Sequence, residues 1–237
     1  MGSTLKALDR GVIRTFGTRL RAWYKRNARD LPWRNTRDPY QILVSELMLQ
    51  QTQVSRVMEF YPRFLERFPT LEVLARARET HVVAAWAGLG YYARARNLHK
   101  LSRAVVREGA VAWGDRPSNG GATLPADVES LRRLPGIGAY TAGAVSSFAF
   151  ERRAALVDTN VARVITRVFA PGLQPKRARD QKRIWAITEA TLPRTGKATW
   201  VHNQALMELG ALVCTARVKR CGICPLRAVC RTYQKQR

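Results

Sequence analysis

The sequence predicts an all-α protein. Apolar residues recur at three- and four-residue steps along nearly the whole chain, which is the spacing of one helix face. No stretch alternates apolar and polar residues convincingly enough for a half-buried strand. Ile13, Phe16, Leu20 and Trp23 mark a first amphipathic helix that must end before the break at Leu31-Pro32-Trp33-Arg34. A second helix starts after Asp38-Pro39 and runs through Ile42, Leu43, Leu47, Met48 and Leu49. The pattern repeats over 54–68, 71–77, 79–86, 94–109, 128–134, 139–150, 161–169, 184–191 and 201–214. Segment 113–125, with Gly114, Pro117, Gly120, Gly121 and Pro125, reads as an exposed loop, and 171–175 as another. No internal repeat is visible.

Charge points to the partner. Lys and Arg number 41 against 17 Asp and Glu, a formal net charge of +24, with a sequence pI of about 11.2. So large an imbalance implies nucleic acid, the alternative being a solvated basic surface or a bias toward arginine. A chain of 237 residues that is 46% hydrophobic and 24% charged buries an ordinary globular core, as one compact unit or two intimate lobes. No run of about eighteen apolar residues suits a transmembrane helix, and residues 1–6 lack a secretory apolar stretch, so an intracellular protein is expected. The four cysteines crowd into the last tenth of the chain, which argues against a disulfide framework and for a local metal clip.

Five groups of residues carry candidate chemistry. Leu134-Pro135-Gly136-Ile137-Gly138, between two helical segments, exposes backbone N–H groups at a helix start, where phosphate is attracted; it reads as a DNA-contacting hairpin. Glu46 lies among Ile42, Leu43, Val44, Leu47, Met48 and Leu49. Burial there would raise its pKa and keep a proton ready for a general acid, whereas a solvated stripe would leave it an ordinary surface carboxylate; the segment alone fits both. Asp158 follows Ala154-Ala155-Leu156-Val157 and precedes a helical run, so it belongs at an N-cap whose N–H bonds keep it ionised. A held carboxylate also suits stabilisation of an oxocarbenium-like sugar, and one raised with one lowered carboxyl is the division of labour of glycoside cleavage.

Cys214, Cys221, Cys224 and Cys230 suffice for tetrahedral zinc or a cubane iron–sulfur cluster, and their spacing alone does not name the metal. The interspersed Arg217, Lys219, Arg220 and Arg227 would give that clip a basic surface. The runs Leu49-Gln50-Gln51-Thr52-Gln53 and Gly88-Leu89-Gly90-Tyr91-Tyr92-Ala93-Arg94-Ala95-Arg96 offer amides for base edges and a Leu or Tyr wedge beside glycines, as base extrusion requires. Ordinary surface amides and core aromatics are the alternative for both.

Taken in order, these motifs with Leu31-Pro32-Trp33-Arg34 and Ser45-Glu46-Leu47-Met48 resemble the helix-hairpin-helix DNA glycosylases over the whole chain. The resemblance is strongest to the catalytic region of the MutY-type adenine DNA glycosylases. It implies two helical lobes: a six-helix barrel with the hairpin over 37–145, and a cluster-bearing lobe from 1–36 and 146–237, with DNA entering between them and a [4Fe-4S] cluster on the four cysteines. It further implies that Glu46 protonates the leaving purine, that Asp158 steadies the sugar cation, and that Asn160 helps to position these groups. Gln51, Thr52, Leu89 and Tyr91 would fill the gap and touch the opposite base, and Arg34 would lie near the flipped purine. Tyr140 falls where members carry Tyr, Ser or Lys; a phenol forms no imine, so a monofunctional enzyme is expected.

Two departures bear on specificity. MutY-type enzymes continue into a C-terminal domain that helps to recognise 8-oxoguanine, whereas this sequence ends at Arg237, leaving the choice between guanine and 8-oxoguanine open. Thr159 stands where many relatives have Gly, and Tyr140 is shared with thymine/uracil mismatch glycosylases, while Gln50-Gln51-Thr52 and Gly90-Tyr91-Tyr92 pull toward the adenine branch. The expectation is a monomeric base-excision-repair enzyme that hydrolyses the N-glycosidic bond of adenine mispaired with guanine or 8-oxoguanine in double-stranded DNA. The alternatives are a T·G or U·G mismatch glycosylase and a non-catalytic DNA-binding module; the presence of both Glu46 and Asp158 argues against the latter.

Overall fold

The computed structural model describes residues 9–108 and 122–235. The readings made above for 1–6 and for most of the 113–125 loop lie outside the described residues; the end of that loop, Pro125, is buried. Twelve α-helices are described: α1 (Arg10–Asn27), α2 (Pro39–Leu49), α3 (Val54–Arg67), α4 (Leu71–Arg76), α5 (Glu79–Ala85), α6 (Ala93–Glu108), α7 (Val128–Arg133), α8 (Ala139–Phe148), α9 (Thr159–Phe169), α10 (Ala178–Thr191), α11 (Gly196–Leu212) and α12 (Arg231–Gln234). Among the described residues there is no strand, only an isolated antiparallel bridge between Cys214 and Lys219, and the all-α expectation is borne out. Helices α10 and α11 begin five or six residues earlier than their apolar repeat, because their first turns are polar. Thr195 caps α11 by accepting a hydrogen bond from the Ala198 N–H at 3.3 Å.

The chain divides into two compact units, Asp30–Phe150 and Met1–Arg29 with Glu151–Arg237. The first is wider than the 37–145 read from the sequence, because the short 3-10 turn Pro32–Arg34 sends Trp33 edge-on to Tyr61, with ring centroids 5.5 Å apart. Helix α2 runs through the middle of this unit. Asp38 caps it by accepting from the Tyr40 and Gln41 N–H groups at 2.8 and 3.1 Å, and Pro39 occupies its first turn, where no N–H is needed. Every residue from Ile42 to Met48 is buried, so α2 presents no solvated stripe; α3, α6 and α8 lie against it. Phe64 completes the core by meeting Trp86 edge-on at 5.5 Å.

In the second unit α11 is the central rod, with α1 and α9 against it and α10 and α12 against α9. Phe16 of α1 and Phe169 of α9 meet edge-on at 4.9 Å. Near the end of α11 the fully buried carboxylate of Glu208 takes a two-pronged ion pair from Arg29, with Nε to Oε1 at 2.8 Å and Nη2 to Oε2 at 2.9 Å. The Arg29 N–H adds a third bond at 3.1 Å, which fixes the chain where it leaves α1. Removing Arg29 takes two charge-assisted side-chain hydrogen bonds from a fully buried carboxylate. Arg29→Ala should therefore lower stability by about 3 kcal/mol, read as a shift of the urea midpoint.

Candidate active site

In unit Asp30–Phe150 the central feature is a carboxyl inside α2. Glu46 is 3% exposed, which separates its two sequence readings in favour of burial. Tyr140, in the first turn of α8, donates its phenolic hydrogen to Glu46 Oε2 at 2.7 Å. One turn further along α2, Gln50 Nε2 donates to Thr141 Oγ1 at 3.3 Å, so two consecutive residues of α8 fasten to one face of α2. The chain segment that delivers Tyr140 is the hairpin Leu134-Pro135-Gly136-Ile137-Gly138 between α7 and α8. Pro135, Gly136 and Gly138 are exposed, Ile137 is tucked in, and Gly138 caps α8 without a side chain. Gly136 has φ +78°, and a Cβ built on it would lie 2.6 Å from Cβ of Asn97, so both backbone conformation and space demand glycine.

Two further loops belong to this unit. Gln51, exposed, takes φ 56°, and Thr52 beside it is half-exposed. In the turn before α6, Tyr91 is 59% exposed at φ 47°, while Leu89 is 6% exposed and therefore faces inward, the other wedge candidate having the protruding position. Arg34 sits half-buried on the 3-10 turn that precedes α2. Sequence reading did not single out Arg94, yet it is 7% exposed and donates to carbonyls of both loops' neighbourhoods; the signal available was its place one turn after the glycine-rich bend.

In the other unit Asp158 is the N-cap of α9. Its Oδ1 accepts from the Val161 N–H at 2.6 Å and its Oδ2 from Asn160 Nδ2 at 2.9 Å. The expected cap is present, but the expected depression of its pKa is not: burial outweighs the N–H bonds and raises the Asp158 carboxyl above its ordinary value. Hydrogen bonds were legible in the sequence and desolvation was not. Asn160 Oδ1 accepts from Arg163 Nη2 at 2.6 Å, and Arg163 also reaches the carbonyls of Gly210 and Cys214, each at 2.8 Å. A Cβ at Gly210 would come within 2.6 Å of Cβ of Asn160, so α11 approaches the first turn of α9 only because residue 210 is glycine.

The cysteines lie in the segment that follows α11. Cys214 follows α11, Cys221 opens a 3-10 turn, and Cys224 and Cys230 complete a loop that returns to α12. All four are free thiols bordering one cavity floored by Val164, Val168, Leu209 and Leu226. Arg167 Nη1 lies 3.2 Å from Cys214 Sγ. Burial first, then repulsion from the other three, pushes the Cys224 thiol up to about 11, and burial raises Cys230 as well. Four thiolates gathered around one cavity would repel one another, so the site fits a group that brings positive charge. Among the described residues no three His, Cys, Asp or Glu side chains converge closely enough to hold a single metal ion. Arg217, Lys219, Arg220 and Arg227 are exposed around this loop.

A family model described as HhH-GPD superfamily base excision DNA repair protein matches residues 44–189, which run from α2 through the hairpin and Asp158 into α10. This chain belongs to that superfamily. Among relatives of the HhH-GPD chain, an adenine DNA glycosylase of Mycolicibacterium smegmatis is 46% identical over 87% of this chain and 66% of its own. One from Mus musculus is 39% identical over 96% of this chain. The resemblance to the catalytic region of adenine DNA glycosylases is thus borne out, although the chain spans only 43% of the mouse relative's length. The solved structure of a thermostable thymine-DNA glycosylase superposes with a TM-score of 0.81 at 29% identity, covering 95% of this chain and 98% of the other. No described helix of this superfamily member is long and apolar enough to cross a membrane.

The Asp158 geometry fixes a sign for pH dependence. Its raised pKa means that the carboxylate forms only at a pH above that of an ordinary aspartate, and the Asn160 amide bond pulls the value back down. Asn160→Ala removes that bond, so the acid limb of any reaction needing ionised Asp158 should move to higher pH. Single-turnover rates measured across pH 4 to 8 check this, and an unmoved limb would separate Asn160 from Asp158.

Proposed function

We propose that this chain is a monofunctional DNA N-glycosylase of base excision repair that releases adenine mispaired with guanine or 8-oxoguanine in double-stranded DNA. The observation that carries the reading is the buried Glu46 bonded to Tyr140: an acid kept from solvent, joined to a phenol at the place where a lysine would make an imine. The chemistry needs little else. Glu46 passes its proton to the purine as the bond from C1′ breaks and the electron pair leaves with the base. The Asp158 carboxylate offsets the positive sugar. Water then adds at C1′, returning a proton to Glu46 and leaving an abasic site. A net charge of +24 supports a polyanionic partner; the reading takes that partner as a DNA duplex and the enzyme as a monomer.

Within this reading, the exposed hairpin 134–138 holds backbone phosphates, Gln51, Thr52 and Tyr91 meet the strands at the lesion with the inward-facing Leu89 packed behind them, and Arg34 meets the extruded base. Unit Asp30–Phe150 is read as the barrel lobe. Cys214, Cys221, Cys224 and Cys230 would hold a [4Fe-4S] cluster, which would supply a fixed anchor for the basic loop. Protein purified without oxidation should show a visible absorbance band and roughly four irons per chain; zinc without iron would replace the cluster by a zinc clip.

A second reading, excision of thymine or uracil opposite guanine, is favoured by the likeness to a thymine-DNA glycosylase over 98% of that chain. Duplexes holding A·G, A·8-oxoG, T·G and U·G, incubated with the protein and then treated with alkali, distinguish the two. Breakage is expected at A·G or A·8-oxoG; breakage only at T·G or U·G establishes the second reading, and none at all ends the enzymatic one. Glu46→Gln should reduce single-turnover release by at least ~10³-fold while leaving duplex binding intact, since general acid catalysis and departure of the base both depend on its proton.

A further inference from the structure

Arg94 stands in the first turn of α6 at 7% exposure, in surroundings that would normally require a carboxylate. Among the described residues no acid pairs with it; its partners are backbone carbonyls. Nη1 donates to Leu47 at 2.9 Å, to Met48 at 2.8 Å and to Gln50, the carbonyls that close α2. Nη2 donates to Leu89 and Gly90, each at 3.0 Å, in the bend that leads into α6. The negative end of the α2 dipole compensates the cation, and the guanidinium also lies over the rings of Trp86 and Tyr91, 5.5 and 5.6 Å from their centroids. One side chain thereby caps a helix and ties together two segments some forty residues apart in sequence.

Each tied segment ends in a strained residue. Gln51 follows the first with φ 56°, and Tyr91 follows the second with φ 47°. A non-glycine residue in the left-handed region persists only where its surroundings determine it, and both of these side chains project to solvent. We propose that Arg94 is a positioning residue for base extrusion, locking the Gln51–Thr52 loop and the Leu89–Tyr91 bend at a fixed separation so that their side chains enter the duplex together. The inference rests on the DNA glycosylase reading. A lysine reaches carbonyls as a point charge and lacks the planar fork that serves two segments at once, so it substitutes only in part.

The test separates strand opening from chemistry. Two duplexes carry the same mispair, one flanked by A·T pairs and one by G·C pairs, which are harder to open. Single-turnover release is measured for the wild type, Arg94→Gln and Arg94→Lys, with thermal melting of each protein and its binding to a duplex holding an abasic-site analogue, where no base remains to be extruded. The expected result is a slowing at least fivefold greater on the G·C-flanked duplex than on the A·T-flanked one, smaller for Arg94→Lys than for Arg94→Gln, with analogue binding within twofold of wild type. Equal slowing on both duplexes, or none, overturns the proposal. If Arg94→Gln does not fold, the ratio for Arg94→Lys decides alone. A wild type that releases no base from either duplex overturns the glycosylase reading, and this inference with it.

Discussion

Burial of the Glu46 carboxyl is the constraint on which the rest of its unit depends. An acid side chain in the middle of an apolar helix is costly unless its oxygens find donors, and the Tyr140 phenol supplies one at 2.7 Å. That requirement places Tyr140 in the first turn of α8, which in turn requires the chain to arrive from α7 through a tight hairpin. Gly136, at φ +78° and against Asn97, makes that arrival possible. The exposed backbone of the hairpin and the buried acid are therefore consequences of one packing solution between α2 and α8.

The other unit solves a different problem. Asp158 is held rigidly at the N-cap of α9, but rigidity and ionisation conflict because the protein that holds the carboxyl also removes water from it. The N–H of Val161 and the amide of Asn160 moderate the conflict without reversing it. Asn160 is oriented in its turn by Arg163, whose remaining donors grip the end of α11. The aspartate and the cysteine loop thus sit at opposite ends of a short hydrogen-bonded chain that passes through α9.

Much of this was legible in the sequence, for identifiable reasons. Helices that bury one face announce themselves by apolar spacing, as α1 and α9 do, whereas α12 is four largely polar residues and gave no signal. The N-cap at Asp158 was legible because capping is local chemistry; the direction of its pKa was not, because burial is set by residues far away in the chain. Glu46 was ambiguous for the same reason: its own segment fits a solvated stripe until α3, α6 and α8 cover α2. Arg94 and Arg163 escaped notice because a single arginine carries little information in a chain with 41 basic residues. What distinguishes them is the set of carbonyls they reach, a property of tertiary structure alone.

The seating of Gly136 on Asn97 gives α6 a metrological role. Asn97 lies three residues, about 4.5 Å of helix rise, beyond Arg94. The hairpin therefore rests on the same helical turn that ties down the Gln51 and Tyr91 segments. On the proposed glycosylase reading, the three loops that meet the DNA would therefore move as one body rather than independently. Recognition of a single base would then depend less on how tightly each loop holds than on their sharing one ruler.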